Sequence, residues 1–152
     1  YRNYKKSGNA NDHTLMQRYE YWKTGLAIVK QNPLFGVGTG DIRNAYDKQY
    51  IIEKTKLRPE NRLRSHNQYI TILVALGTVG LLWFLTAIII LIVRQKMFRN
   101  FYFFVFLIIF LVSCLTEDTL DSQEGATFFA AFMSLFLLGI LNSRNRKSTD
   151  EN

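Results

Sequence analysis

The chain contains little cysteine, proline or histidine: its 152 residues include one Cys, two Pro and two His. Because Cys114 has no second cysteine to pair with, the sequence excludes a disulfide-stabilised mini-protein. The two histidines, His13 and His66, lack the spacing of metal ligands, and we expect neither a metal nor a cofactor. No Ser–His–Asp arrangement or catalytic pair of carboxylates can be defended either.

Charge is absent from three long apolar stretches, residues 69–93, 101–115 and 126–141. As a helix the first would be about 37 Å long, which exceeds a hydrocarbon core of about 30 Å, whereas the other two are shorter. A buried soluble core could explain one such run, but three in succession indicate membrane spans. We therefore predict an all-α fold: a polytopic membrane fragment with a helical extramembrane segment and three transmembrane helices.

The charges between these runs predict the topology. The link 94–100 carries three basic and no acidic residues, the link 116–125 four acidic and no basic ones, and the tail 142–152 is basic at its start. Basic links favour the cytoplasm, so the tail and the first link should lie inside and 116–125 outside. Residues 1–68, with 13 Lys/Arg against 6 Asp/Glu, should then also lie outside, because the charge rule weakens for long translocated segments.

In the extramembrane segment, residues 1–12 are polar and expected to be mobile, and a helix is predicted from about His13 to Lys30. Leu15, Tyr19, Trp22, Leu26 and Val29 follow one helical face, which predicts that this face is buried. Arg18 lies at the edge of the same stripe, so we expect its side chain to point toward a packed region.

Residues 32–41 (NPLFGVGTGD) follow this helix and contain three alternating glycines. Pro33 ends the helix, and Thr39 or Asp41 could cap another helix that runs through Tyr50 or beyond. The loop lacks the Gly-Lys-Ser/Thr of a Walker motif and the third glycine of a dinucleotide fingerprint. The favoured interpretation is a tight helix–loop–helix turn that brings the backbone close to another element.

Residues 54–67 concentrate basic side chains just before the first apolar run, and Ser65 or Asn67 could cap the span. Cations and a helix N-terminus at the outer interface suit an anionic group, above all a lipid-linked phosphate. For Lys54 and Lys56 the favoured interpretation is contact with lipid headgroups, and His66 could be a structural interfacial histidine that caps the span. A nucleic-acid partner is not expected, because this basic region adjoins the membrane on the outer side.

Several segments together resemble the C-terminal region of the O-antigen ligase and O-antigen polymerase superfamily. These are Arg18-x-x-Tyr21-Trp22, the NPLFGVGTGD loop, His66-Asn67-Gln68-Tyr69, Gly77-x-x-Gly80-Leu81 and residues 117–129 (EDTLDSQEGATFF). The resemblance covers most of residues 14–141. Together with a start at Tyr1 rather than Met, it suggests the C-terminal piece of a larger protein, inactive by itself.

The resemblance implies a glycosyltransferase of the bacterial inner membrane that works at the periplasmic face without metal or nucleotide sugar. The donor would be an undecaprenyl-diphosphate-linked glycan, and the acceptor lipid A–core, a growing polysaccharide or a protein. By the same resemblance, Arg18 would engage the diphosphate, with Arg64 a weaker candidate, and His66 would be the catalytic histidine before the span. The alternative hypothesis is a non-catalytic membrane scaffold or flippase partner in polysaccharide assembly.

Overall fold

The computed structural model describes residues 10–94 and 100–150, with side chains through Gly139. All the regular structure in these residues is helical, which confirms the predicted all-α fold. The helices are α1 (Thr14–Gln31), α2 (Ile42–Ile52), α3 (Gln68–Arg94), α4 (Phe101–Thr116) and α5 (Gln123–Asp150), with a 3-10 turn at Pro59–Asn61 between α2 and α3.

Helix α1 has the predicted length, but most of the residues predicted to form its buried face are exposed. Leu15 is 75% exposed, Tyr19 54% and Leu26 46%, whereas the buried residues are Tyr21, Thr24, Gly25 and Ile28. The buried face includes a threonine and a glycine because α1 lies very close to α2: a Cβ on Gly25 would overlap the hydroxyl of Tyr46. Small residues permit this approach, and the hydrophobic pattern by itself does not reveal it.

The extramembrane core lies between α1, α2 and the first part of α3. Its largest fully buried side chains are Tyr46 and Tyr50, which project from α2 and pack with Ile28 of α1 and Val74 of α3. The Tyr50 hydroxyl donates a hydrogen bond of 2.7 Å to the carbonyl oxygen of Leu63. This bond ties the basic segment that precedes α3 to the helical core.

Helix α3 is interrupted at Gly77, where φ is 67° and ψ is −164°. The backbone of the glycine-containing loop after α1 fills the break. Its contacts are Val37 N–H to Val74 O (2.8 Å), Gly38 N–H to Ala75 O (2.9 Å), Thr78 N–H to Pro33 O (2.9 Å) and Val79 N–H to Leu34 O (3.2 Å). Peptide groups that lose helical partners at the break therefore gain partners in the loop, as buried backbone groups require.

The close approach requires glycine on both sides of the contact. A Cβ on Gly77 would overlap the carbonyl oxygen of Leu34, and a Cβ on Gly36 would overlap the backbone of Val74 and Ala75. The prediction that this loop brings the backbone close to another element is confirmed. The expectation of one uninterrupted helix over 69–93 is wrong, because Gly77 adopts a conformation that L side chains rarely take.

Among the described residues, α3 is the one helix long and apolar enough to cross a membrane by length and composition; α4 and residues 123–139 of α5 are shorter apolar helices. The part of α3 after Gly77 packs against α4 and α5 around Phe103, Leu107 and Met133. Phenylalanine rings continue this contact, with the Phe110 and Phe129 centroids 4.1 Å apart. The three apolar runs thus form one helical cluster.

The structure places the acidic link after α4 at the same end of the molecule as α1, because Glu117 contacts Arg18. This agrees with the predicted common side for residues 1–68 and 116–125. Most of the basic residues that predict the cytoplasmic link lie in 95–99, outside the described residues. Most of the N-terminal stretch expected to be mobile, residues 1–9, and the side chains of the predicted tail are also outside them. Helix α5 continues through that tail to Asp150. The predicted domain limits and the membrane sides stay predictions.

Candidate functional site

His66 is held by its two neighbours at the start of α3. Asn67 caps the helix as predicted: its side-chain oxygen accepts hydrogen bonds from the N–H groups of Tyr69 (3.0 Å) and Ile70 (3.2 Å). The Asn67 amide also donates to the carbonyl oxygen of Leu115, at 3.0 Å. His66 itself has a φ of 47°, a left-handed conformation that is uncommon for a residue other than glycine. The cap and the strained backbone together fix where the imidazole lies.

Ser65, on the other side of His66, is completely buried. Its carbonyl oxygen accepts a hydrogen bond from the indole N–H of Trp22, and its hydroxyl lies 3.0 Å from that of Thr71. Thr71 in turn donates to a carboxylate oxygen of Asp118 at 2.6 Å. These bonds connect α1, α3 and the acidic link around the imidazole.

Arg18 extends from α1 to the end of α4. One terminal nitrogen of its guanidinium donates to the carbonyl oxygen of Thr116 at 2.7 Å, and the other to Oε1 of Glu117 at 2.8 Å. The side chain is 30% exposed. Arg18 is therefore partly packed, in agreement with its predicted position at the edge of the helix face.

Glu117 joins Arg18 to His66. Its second carboxylate oxygen, Oε2, lies 3.4 Å from Nδ1 of His66, while Oε1 binds Arg18. The Tyr21 ring also lies beside the imidazole, and the two ring centroids are 6.0 Å apart. Two residues predicted to be functional, far apart in sequence, thus converge on one carboxylate.

Arg64 lies near this group but has a different partner, since it pairs with Asp121 of the same acidic link. Two cavities open beside His66. The smaller, about 160 Å³, is lined by Arg18, Tyr21, His66 and Glu117 among others, and the larger, about 360 Å³, by Arg43, Arg62, Arg64, His66 and Asp118 among others. The structure therefore brings all three predicted residues together, but Arg18 and Arg64 do not line the same cavity; His66 lines both.

Burial raises the pKa values of two phenols beside these cavities. Desolvation raises the pKa of Tyr21, and it raises that of Tyr46 more strongly, with a smaller contribution from the negative charge of Asp118. Ser65 and Arg64 oppose the shift at Tyr46. Neutral phenols act as hydrogen-bond donors near neutral pH and are not anionic competitors for the arginines.

The sequence interpretation missed the acidic side of this site. Glu117, Asp118 and Asp121 served only to orient the membrane spans, yet each contacts a residue of the basic segment, of α1 or of α3. The available signal was their negative charge. The basic segment carries the opposite charge and was predicted to lie on the same side of the membrane. Arg43 of α2 was also missed, because nothing in its local pattern distinguishes it from a solvated arginine.

Among the described residues, no group of three His, Cys, Asp or Glu side chains could hold a metal ion. A family model described as O-antigen ligase matches residues 2–85 of the chain. That range includes α1, α2, the basic segment with His66, and α3 past Gly77. No curated protein and no solved structure matches the chain.

Proposed function

Because the chain belongs to the O-antigen ligase family, we propose that it forms part of a membrane glycosyltransferase that moves a glycan from an undecaprenyl-diphosphate carrier to an acceptor hydroxyl at the periplasmic face. The acceptor class stays open between lipid A–core, a growing polysaccharide and a protein. Membership supports an O-antigen ligase-like or polymerase-like enzyme in general. The donor, the membrane side and the residue roles are our proposal.

The observation that carries the proposal is the convergence of Arg18 and His66 on Glu117. A diphosphate leaving group gains negative charge as its bond to the sugar breaks. Guanidinium groups meet such charge with paired hydrogen bonds, and such donors stabilise a transition state without a metal. Arg18 uses two nitrogens on Thr116 and Glu117, and a guanidinium has five N–H donors, so donors remain for a phosphate oxygen.

His66 has the surroundings of a general base. Glu117 lies beside Nδ1, and a carboxylate there orients the imidazole, which leaves Nε2 for the substrate. In the proposed step the acceptor oxygen forms a bond to the anomeric carbon while the bond from that carbon to the diphosphate oxygen breaks. The hydroxyl proton passes to His66, and the diphosphate leaves with its charge next to Arg18. A direct displacement of this kind inverts the anomeric configuration.

The test replaces each residue in the full-length protein and measures glycan transfer with purified enzyme in detergent. We expect transfer to fall about 100-fold or more in His66→Ala and in Arg18→Ala. Arg18→Lys should recover only part of the loss, because an ammonium cannot make the paired contacts of a guanidinium. The matched control is Lys30→Ala, an exposed cation at the other end of α1, which should behave as wild type.

The alternative of a non-catalytic scaffold or flippase partner makes the opposite prediction. His66→Ala and Arg18→Ala would then leave glycan assembly in cells unchanged at equal protein levels. Removal of several basic residues of the 54–64 segment together would instead disrupt it. Wild-type transfer by both single variants would therefore reject the catalytic roles of Arg18 and His66.

A further inference from the structure

The larger cavity beside His66 has a composition unlike that of the smaller one. Arg43 and Asp47 come from α2, Arg62 and Arg64 from the segment before α3, and Asp118 from the acidic link. Cations and carboxylates thus face one space of about 360 Å³, a volume within the range of small-molecule sites. The smaller cavity pairs Arg18 with Glu117, and its lining includes no second cation.

Helix α2 supplies the least constrained polar groups of this cavity. Arg43 and Asp47 are four residues apart and so share a helical face. The Arg43 side chain makes no hydrogen bond or ion pair with the residues that the structure describes, and the same is true of the Asp47 side chain. Within the described part of the chain, the Arg62 side chain makes one hydrogen bond, from Nε to the carbonyl oxygen of Leu57 at 3.2 Å. The cavity therefore offers several open donors next to open acceptors.

A ligand suited to this lining needs many groups that both donate and accept hydrogen bonds. A diphosphate only accepts hydrogen bonds, so it could use the arginines of this lining but not Asp47 or Asp118. Sugar hydroxyls match both kinds of side chain, because each hydroxyl donates one hydrogen bond and accepts two. The buried Tyr46 ring forms part of the wall. A hydroxyl-rich ligand can therefore use both the arginines and the aspartates of this lining, whereas a diphosphate can use only the arginines.

We propose that this cavity is the subsite for the acceptor glycan, with Arg43 and Asp47 as ligands of the sugar residue that presents the attacking hydroxyl. This inference rests on the proposed function and deepens it. Because His66 lines both cavities, an acceptor sugar in the larger one and a donor diphosphate in the smaller one would meet at the imidazole. The arrangement assigns Arg64 to the acceptor side and not to the diphosphate.

The first experiment is steady-state kinetics on the full-length protein with donor and acceptor glycans extracted from cells that lack its gene. Arg43→Ala and Asp47→Asn should each raise the KM for the acceptor about tenfold, the effect of one lost hydrogen bond to a charged group, with the KM for the donor unchanged. Lys48→Ala is the matched control, since Lys48 is exposed on α2 but does not line this cavity. An equal rise in both KM values, or a rise for the donor alone, would overturn the assignment.

The second experiment does not depend on activity. Thr39 lines the larger cavity and Thr14 the smaller one, and both are exposed. In full-length protein without other accessible thiols, the acceptor extract should slow maleimide labelling of T39C but not of T14C, and inorganic pyrophosphate should do the reverse. Protection of T39C by pyrophosphate and not by the extract would overturn the proposal. Absence of transfer by wild type would reject the proposed function separately, while the labelling pattern would still decide what the cavity binds.

Discussion

The two parts of α3, residues 68–76 and 78–94, belong to one apolar run in sequence but to two environments in the structure. Every buried residue of the helix lies in the first part or at Gly77 itself, where Ile70, Val74 and Ala75 enter the extramembrane core. The second part exposes large apolar side chains, with Leu82 64% and Trp83 75% exposed. Hydrophobicity alone does not separate burial in protein from exposure to lipid.

The second part of α3 is by itself nearly as long as a hydrocarbon core is thick. At 1.5 Å per residue, residues 78–94 form a helix of about 25 Å, close to the thickness of a hydrocarbon core of about 30 Å. The first part is packed on α1 and α2, and the residue that caps it, Asn67, directly follows His66. The break at Gly77 thus separates a segment that holds the candidate site from a segment suited to lipid.

The largest effect should come from the residue that divides the two parts. Gly77→Ala adds a Cβ against the Leu34 carbonyl and forces alanine into a left-handed conformation, so we expect a loss of about 3 kcal/mol or more in the free energy of unfolding. Thermal unfolding of the purified full-length protein measures it. Gly40→Ala is the control, since a Cβ there meets no atom within 4 Å. Equal stability of both variants would contradict the inserted-loop arrangement.

A second pair of variants compares the environments directly. Val74 is fully buried and Leu82 is 64% exposed. Val74→Ala should lower the free energy of unfolding by about 2 kcal/mol, because it removes two methyl groups from a packed core and leaves a cavity. Leu82→Ala should cost less than about 0.5 kcal/mol in detergent. If Leu82→Ala cost more, the Leu82 side chain would be packed against protein and not exposed to lipid.

The N-terminal cap of α3 should matter less. Asn67→Ala removes the acceptor for the Tyr69 and Ile70 N–H groups and the contact with Leu115, so we expect a loss of about 1–2 kcal/mol. Asn67→Asp keeps the cap and loses only the amide donor, and it should recover most of the stability. Chemical denaturation compares the two. Equal losses for Asn67→Ala and Asn67→Asp would show that the contact with α4 dominates over the cap.

The smallest expected effects concern two buried tyrosines that pack near the first part of α3. The Tyr46 hydroxyl has no hydrogen-bond partner among the described residues, whereas that of Tyr50 donates to Leu63. At pH 7, Tyr46→Phe should therefore stabilise by about 1 kcal/mol and Tyr50→Phe destabilise by about the same amount. Denaturant midpoints measure both. A loss of stability in Tyr46→Phe would show that its hydroxyl bonds to Ser65, the polar neighbour that lowers the pKa of Tyr46.

The same tyrosines make stability depend on alkaline pH. Burial raises the pKa of both above the ordinary value near 10. Above that pH the unfolded chain releases these protons and the folded chain keeps them, so the stability they contribute is complete below pH 10 and declines as the pH rises further. Each Tyr→Phe variant should show a shallower decline between pH 10 and 11. An unchanged slope in both would contradict the raised pKa values.

Local patterns were sufficient for part of this molecule. The stop at Pro33, the cap at Asn67 and the apolar runs all depend on residues within a few positions of each other, and the structure agrees with them. The buried face of α1 could not be predicted in this way. Leu15 and Tyr19 are exposed because the neighbour of α1 contacts Thr24 and Gly25 instead, a choice that depends on the shape of α2.

The candidate site shows the same division. The types of residue in the basic segment pointed to an anionic ligand, and the sequence resemblance singled out Arg18, Arg64 and His66. The partners of these residues could not be read from the sequence, because Glu117 lies 99 positions from Arg18. Pairings at that separation depend on how the helices pack.

By itself, then, the sequence determined the helical class, the apolar runs and the residues available for chemistry, since these follow from local propensity and hydrophobicity. Only the tertiary structure decided which apolar residues are buried and that Gly77 divides α3. It also placed Arg18 and Arg64 in different cavities, both of which are lined by His66. The physical reason is that side-chain packing, ion pairs and the hydrogen bonds of the interrupted backbone form between segments distant in sequence. The fold determines which of these segments meet.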